Sequence, residues 1–241
     1  VRVDLGAGKE RRKGWVHVGH ESTHYAKNIV DIDVDFMSCE RMPINSNIVE
    51  AVYCGHTLEH LPNHRAQWLI NEAYRILEPG GIFRVVLPDA GAAMNAVVMN
   101  ARAFFSVYDG GHYEEKRAQY RLKKSLVGAP IEQYLLMMCA TQLSEYIDTD
   151  FSTTGLDAEV RKCCEIGNLD SLSARCTMTA QREYPWMHCN WFNDGKLARM
   201  MAEAGFKMFF VSGHRKSFSP HMRGSSFDAL PELSLHMEAF K

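Results

Sequence analysis

Along the first ninety residues, apolar and polar positions alternate in two rhythms. Val1, Val3 and Leu5 alternate with Arg2 and Asp4, the period of a strand. Trp15-Val16-His17-Val18 also favours a strand, and "NIVDIDVDF" (28–36) alternates at period two. "IVEAVYCG" (48–55) is nearly continuous apolar sequence, as in a strand buried on both faces. Between 64 and 81 the rhythm changes: Trp68, Leu69, Ala73, Ile76 and Leu77 fall on one helical stripe, and Pro79-Gly80-Gly81 ends it. "IFRVVLPD" (82–89) is a further buried strand ending in a turn. This alternation predicts βα units.

From 91 to 185 the pattern is helical, with "GAAMNAVVMNARAFFSV", "EEKRAQYRLKKSL" and "PIEQYLLMMCATQLSEYI" as helices and an irregular aromatic stretch to follow. The α/β rhythm then returns. "NDGKLARMMAEAGF" (193–206) starts on an Asn/Asp cap, carries Leu197, Met200, Met201 and Ala204 on one face, and stops at Gly205. "KMFFVSG" and "LSLHMEAFK" read as two last strands joined by a long loop. The expected organisation is 1–90 as the first half of an α/β domain, 91–185 as a helical insertion, and 186–241 as the rest of that domain.

With 241 residues, the chain can bury one large α/β domain or a domain with a lid. A formal net charge of −2 gives no general nucleic-acid or membrane footprint, so neither partner is expected. No apolar run spans a bilayer and no signal-peptide pattern occurs; a cytoplasmic location is expected. The chain begins directly on a strand, which leaves room for a segment ahead of it. The seven cysteines (39, 54, 139, 163, 164, 176, 189) include no C-x-x-C pair, so reduced thiols are expected and a structural zinc site is not. Oligomeric state is not legible.

The chemistry starts at "VRVDLGAGKERRKGWVHVG" (1–19), which predicts a strand, a ligand-cradling turn, a short helix and a second strand. A P-loop fails there, because Lys13 stands where its second glycine belongs. The dinucleotide fingerprint is weakened by Arg11 in place of its third glycine. Gly6-Ala7-Gly8 remains. Arg11, Arg12 and Lys13 are expected to be solvated helix surface. "HTLEH" (56–60) has the letters of an inverted zinc-protease motif, which belongs inside a helix. Here it follows a buried strand and Pro62 comes two residues later, so no metal is expected on His56 and His60.

"VDLGAG", "DVDF", "YCGHTLEHL", "EAYRILEPGGIFRVVLPD", "LARMMAEAGF" and "LSLHMEAFK" together resemble class I S-adenosylmethionine-dependent methyltransferases of the type 11-like branch. They cover most of 1–90 and 190–241; the middle has no counterpart. The resemblance implies an α/β, Rossmann-like fold: a seven-stranded, mostly parallel sheet with helices on both faces and a helical insertion after the fifth strand. It implies S-adenosyl-L-methionine as cofactor, held by the backbone of Gly6, Ala7 and Gly8, with Asp4 facing its amino end. Asp35 fits the adenine-amino contact with Phe36 beside the ring, and His56 sits at a strand end near the cofactor. The acidic residue that usually binds the ribose hydroxyls falls on Gly19; Glu21 is its substitute from a shifted position.

The implied activity is methyl transfer to a small or medium acceptor, a sugar or other metabolite. Asp89 and His188 are the candidates for removing the acceptor's proton, against plain readings as a helix cap and a packing residue. The alternatives are a non-catalytic relative serving as an interaction module, favoured by Gly19, and an NAD-dependent oxidoreductase, disfavoured by Arg11. The insertion is expected to cap the strand ends and select the acceptor through its aromatics and cations, among them Phe104, Phe105, Tyr108, Tyr113, Tyr120, Arg121 and Tyr134.

Overall fold

The structure is a computed structural model that describes residues 1–8, 11–20, 29–109, 127–143 and 155–241. Two compact units emerge: Val1–Leu87 with Asp194–Lys241, and Pro88–Asn193 between them.

The first unit is built on a seven-stranded sheet. Its strands are β1 (Arg2–Leu5), β2 (Val16–Gly19), β3 (Ile32–Asp33), β4 (Val49–Gly55), β5 (Leu77–Pro88), β6 (Met208–Val211) and β7 (Ser234–Phe240). Their order is β3-β2-β1-β4-β5-β7-β6. The pairs β1–β2, β1–β4, β2–β3 and β4–β5 are parallel, and β6–β7 is antiparallel. This is the Rossmann-like arrangement the sequence implied. The chain leaves β1 to one side for β2 and to the other for β4, so the ends of β1 and β4 flank the switch point where open α/β sheets bind ligands.

Two helices of this unit, α1 (Asn63–Ile76) and α7 (Asp194–Ala204), pack against each other. Leu69, Ile70, Ala73, Ile76, Leu197 and Met201 are fully buried, and the Gln67 amide donates to the Met200 carbonyl at 2.9 Å. Gly205 ends the second helix at φ 114°, where a Cβ would come 2.8 Å from the Tyr74 ring. The first helix stops at Ile76, earlier than Pro79-Gly80-Gly81 suggested, because Leu77 is already extended and enters β5.

The expected short helix between β1 and β2 is not found among the described residues of that connection. Residues 11–15 form only a turn, with Gly14 at φ 81°. Of the ten residues that separate Leu5 from Val16, 9 and 10 lie outside the described residues.

The second unit is helical: α2 (Ala90–Val98), a 3₁₀ segment (Arg102–Asp109), α3 (Ile131–Cys139), α4 (Leu156–Ile166), α5 (Asp170–Ser173) and α6 (Met178–Glu183). Its bounds, 88–193, run slightly wider than the expected 91–185. The helix expected over "EEKRAQYRLKKSL" lies outside the described residues, as do Tyr113, Tyr120 and Arg121. Phe105, Tyr108 and Tyr134 are core: Tyr134 stacks on both other rings at 5.6 and 5.7 Å, and Arg102 donates to its hydroxyl. Trp191 donates its indole N–H to Asp170 at 2.8 Å, closing a patch lined by Leu135, Leu136 and Leu172.

Candidate cofactor site

The end of β1 turns on Gly6. Its φ is 78°, and its N–H donates to the Val18 carbonyl at 2.8 Å. A Cβ there would lie 2.2 Å from Thr57 Oγ1, whose hydroxyl is held by the Leu5 carbonyl at 3.1 Å. Both the backbone angle and the space therefore require glycine. Gly8 differs. It is exposed at φ 59°, and among the described residues a Cβ would meet nothing nearer than the Gly6 carbonyl at 3.9 Å. The loop is a backbone surface with open space before it, the cradle a ligand needs.

Gly19, at the end of β2, is not demanded by its surroundings. A Cβ there would sit 3.9 Å from Gly6 Cα and 3.9 Å from Val30 Cγ2, ordinary contact distances. It would lie beside the Gly6 turn. Glu21, the expected substitute, is outside the described residues. A described acid, Asp33, is aligned with Gly19 on the neighbouring strand and lies 2.9 Å from the His20 ring.

Asp4 does not stand waiting for an amino group. It is 1% exposed and is ion-paired with Arg12. Arg12 lies over the rings of Tyr53 and Phe227, at 4.9 Å from each, and donates to the Ser226 carbonyl. The expectation of Arg12 as solvated surface is thus corrected: the chain folds back and uses it to neutralise a buried carboxylate, which could not be left unpaired. Arg11 does remain exposed, pairing with Asp31 at 2.5 Å.

Asp4 belongs to a polar row that crosses the sheet in register: His17 on β2, Asp4 on β1, Tyr53 on β4 and Arg84 on β5. Each is at most 3% exposed. His17 meets Asp31 at 3.0 Å; that contact and the His17 backbone N–H hold the Asp31 carboxyl down at about 2. Burial pushes the Tyr53 hydroxyl well above its usual range. Arg84 is fully enclosed and all five of its N–H groups find acceptors among Asp228, Ser212, Gly213 and Glu238. The row was missed in the sequence. A charge inside the apolar run "IFRVVLP" was its one visible sign.

Asp35 caps the turn that follows it. Its two oxygens accept from the Met37 N–H at 2.9 Å and the Ser38 hydroxyl at 2.6 Å. Phe36 is buried against Trp68, ring centroids 6.3 Å apart. His56 leaves β4 at φ 50°, with Nδ1 3.2 Å from Glu59 and Nε2 3.3 Å from the Ala229 carbonyl. Burial opposes charge on this ring, but the Glu59 carboxylate and the Ala229 carbonyl outweigh it and raise its pKa. Leu58–His60 is a single 3₁₀ turn, so "HTLEH" does not form the helix that its zinc-protease reading needs.

Asp89 and His188 lie in the second unit. Asp89 caps α2, accepting from the Ala92 N–H at 2.9 Å. His188 has Nδ1 2.7 Å from the Met138 carbonyl, a contact that requires a hydrogen on that nitrogen. In the neutral ring the lone pair is then on Nε2.

A mostly parallel sheet with glycines at its switch point places the loop where open α/β sheets bind ligands. Residues 14–85 match the family model described as a methyltransferase domain. That stretch, under a third of the chain, is similar to a methyltransferase domain, and S-adenosylmethionine is the cofactor such a domain implies. Similar solved structures include an S-adenosylmethionine-dependent methyltransferase of Thermotoga maritima, at 15% identity and TM-score 0.44, covering 100% of this chain and 81% of that one. Another is from Archaeoglobus fulgidus, at 10% identity and TM-score 0.42, covering 100% and 85%. No curated protein matches the sequence. The sequence match over 14–85, and not these distant likenesses, supports the methyltransferase reading.

The cradle fits that cofactor in part. Gly6 and Gly8 leave the backbone bare where the methionine end would approach. The ribose side lacks its acid at Gly19, and Asp4 is already paired.

Proposed function

We propose that the protein is an S-adenosylmethionine-dependent methyltransferase acting on a small or medium acceptor, a sugar or other metabolite. The observation that carries this is the Gly6–Gly8 loop, tight against Thr57 on one side and open on the other, in a chain whose residues 14–85 match a methyltransferase domain. The cofactor supplies an electrophilic methyl group, and holding the acceptor in line is the protein's main task. Gly6, Ala7 and Gly8 offer backbone to the cofactor, and Asp35 and His56 line its nucleoside and methionine ends. Asp89 and His188 take the acceptor's proton. Acceptor selection falls to the second unit. Seven free cysteines suit a cytoplasmic setting, and among the described residues no helix is long and apolar enough to cross a membrane.

Calorimetry with S-adenosylmethionine, its demethylated product and NAD tests the reading. Binding of a sulfur ligand near micromolar, about 8 kcal/mol, is expected. Tighter binding of NAD, or no binding of either sulfur ligand, overturns it. Asp89→Asn and His188→Ala are expected to keep cofactor affinity within a few-fold while lowering turnover about 10²-fold for a proton-losing acceptor. A second reading, a non-catalytic relative, is favoured by Gly19 and by the Asp4–Arg12 pair. It predicts no binding of either ligand.

A further inference from the structure

Three side chains on the other flank of the sheet converge without a stated purpose. One ligand atom each from His214, Asp228 and His236 lies within 4.8 Å of the other two. His236 is on β7 and 4% exposed; His214 and Asp228 come from the segment joining β6 to β7. His214 Nδ1 and His236 Nε2 are buried and have no hydrogen-bond partner. A buried polar atom left unmade is costly, and two imidazole nitrogens in one cluster call for a shared ligand.

We propose that His214, Asp228 and His236 form a binding site for a divalent metal ion of the zinc class. Two imidazoles and a carboxylate are a nitrogen–oxygen donor set that suits zinc, with a fourth position left for water. The supporting groups are in place. His236 makes a further hydrogen bond with the Ser234 backbone, which fixes its ring. Asp228 is clamped by two Arg84 contacts and accepts from the Arg215 N–H, so three of its four lone-pair sites are used and one remains. Arg84 cannot turn to serve the imidazoles, since every N–H it has is engaged.

Charge points the same way. Two buried carboxylates, Asp228 and Glu238, face one guanidinium, so the enclosed group is net negative when both rings are neutral. A proton on one ring would cancel that charge but would leave the other nitrogen orphaned. A metal ion serves both. Bound there, it would tie the segment between β6 and β7 to the sheet, and its binding energy would add to folding. The proposal is independent of the cofactor reading.

The test uses the full chain stripped with chelator and titrated with Zn²⁺ alone, then with Co²⁺ as a spectroscopic probe. The expected result is one tight Zn²⁺ per chain, micromolar or better, and a raised thermal midpoint. Co²⁺ should give ligand-field bands without the charge-transfer band of a thiolate, since seven free cysteines are the competing donors. His214→Gln and His236→Gln should each weaken binding at least 100-fold. If His236→Gln fails to fold, His214→Gln, at the less buried position, decides. No stoichiometric ion, a thiolate band, or unchanged affinity in folded His214→Gln overturns the site. So does a midpoint that responds to pH and not to metal.

Discussion

The glycine loop after β1 and the polar row across the same sheet are made of different material. At Gly6 and Gly8 the chemistry is backbone, and side chains are excluded: Thr57 would collide with any Cβ at Gly6, while Gly8 faces open space. In the row, His17, Asp4, Tyr53 and Arg84 are enclosed side chains, each meeting a partner from elsewhere in the chain: Asp31, Arg12, Asp228 and Glu238. At Gly6 the loop has no room for an added side chain; the row depends on the side chains it has. One therefore gives binding and the other gives stability, and substitutions should separate the two.

The largest effect is expected at the row's end. Arg84→Met would leave Asp228 and Glu238 buried without their cation, a loss of about 3–5 kcal/mol. Denaturant unfolding of the variant measures it. A loss under about 1 kcal/mol would show that the carboxylates escape by protonation or hydration, and that the row does not hold the sheet together. Arg84→Lys should rescue little, because one ammonium cannot supply five directed N–H groups.

Gly6 comes next. Gly6→Ala places a methyl group on Thr57 at a positive φ, with an expected loss of about 2 kcal/mol or more. Adding Thr57→Ala should return part of it, leaving about 1 kcal/mol of backbone strain. Gly8→Ala has the strain but no collision, so about 1 kcal/mol is expected in stability. Gly8→Arg should fold yet lose cofactor binding, as its side chain enters the open space. If it keeps full affinity, the cradle lies elsewhere.

The contrast also explains what the sequence disclosed. Alternation along β1 and β4 and the turn residues at Gly6 and Gly8 are local signals, so the sheet and the loop could be read directly. Arg12 could not. Its eight-residue separation from Asp4 looks like any charged turn until the chain folds back. The row needs residues 4, 17, 53, 84, 228 and 238 together, and no spacing announces it. His214, Asp228 and His236 are hidden for the same reason. At Asp89 the plain reading as a helix cap and the catalytic reading pick the same residue, and geometry gives the cap its hydrogen bond.

Gly19 offers a gain in place of a loss. Its notional Cβ makes only ordinary contacts and lies beside the Gly6 turn, so Gly19→Asp should fold normally. A carboxylate there would meet ribose hydroxyls, and charged hydrogen bonds of about 1.5 kcal/mol would tighten cofactor binding about 10-fold. Calorimetry on the variant reads this directly. Unchanged affinity would mean that the ribose does not pass that strand end.

The smallest effect is a pH dependence where loop and side-chain chemistry meet, at His56. Burial works against its charge, but Glu59 at 3.2 Å and the Ala229 carbonyl raise its pKa above the usual 6.5. A group whose pKa is raised on folding stabilises the native state fully below its unfolded pKa. That contribution fades as pH climbs through the folded value. His56→Asn keeps a residue that tolerates the positive φ while removing the charge. At pH 6 it should cost on the order of 1 kcal/mol, since the ion pair is partly exposed. At alkaline pH the wild type has also lost its imidazolium, and Glu59 faces a neutral neighbour in both proteins. The two stability curves should therefore converge as pH rises. Paired unfolding curves from pH 5 to 9 decide the matter, and a gap that stays constant, or widens toward alkaline pH, would show that His56 acts through packing and not through its charge.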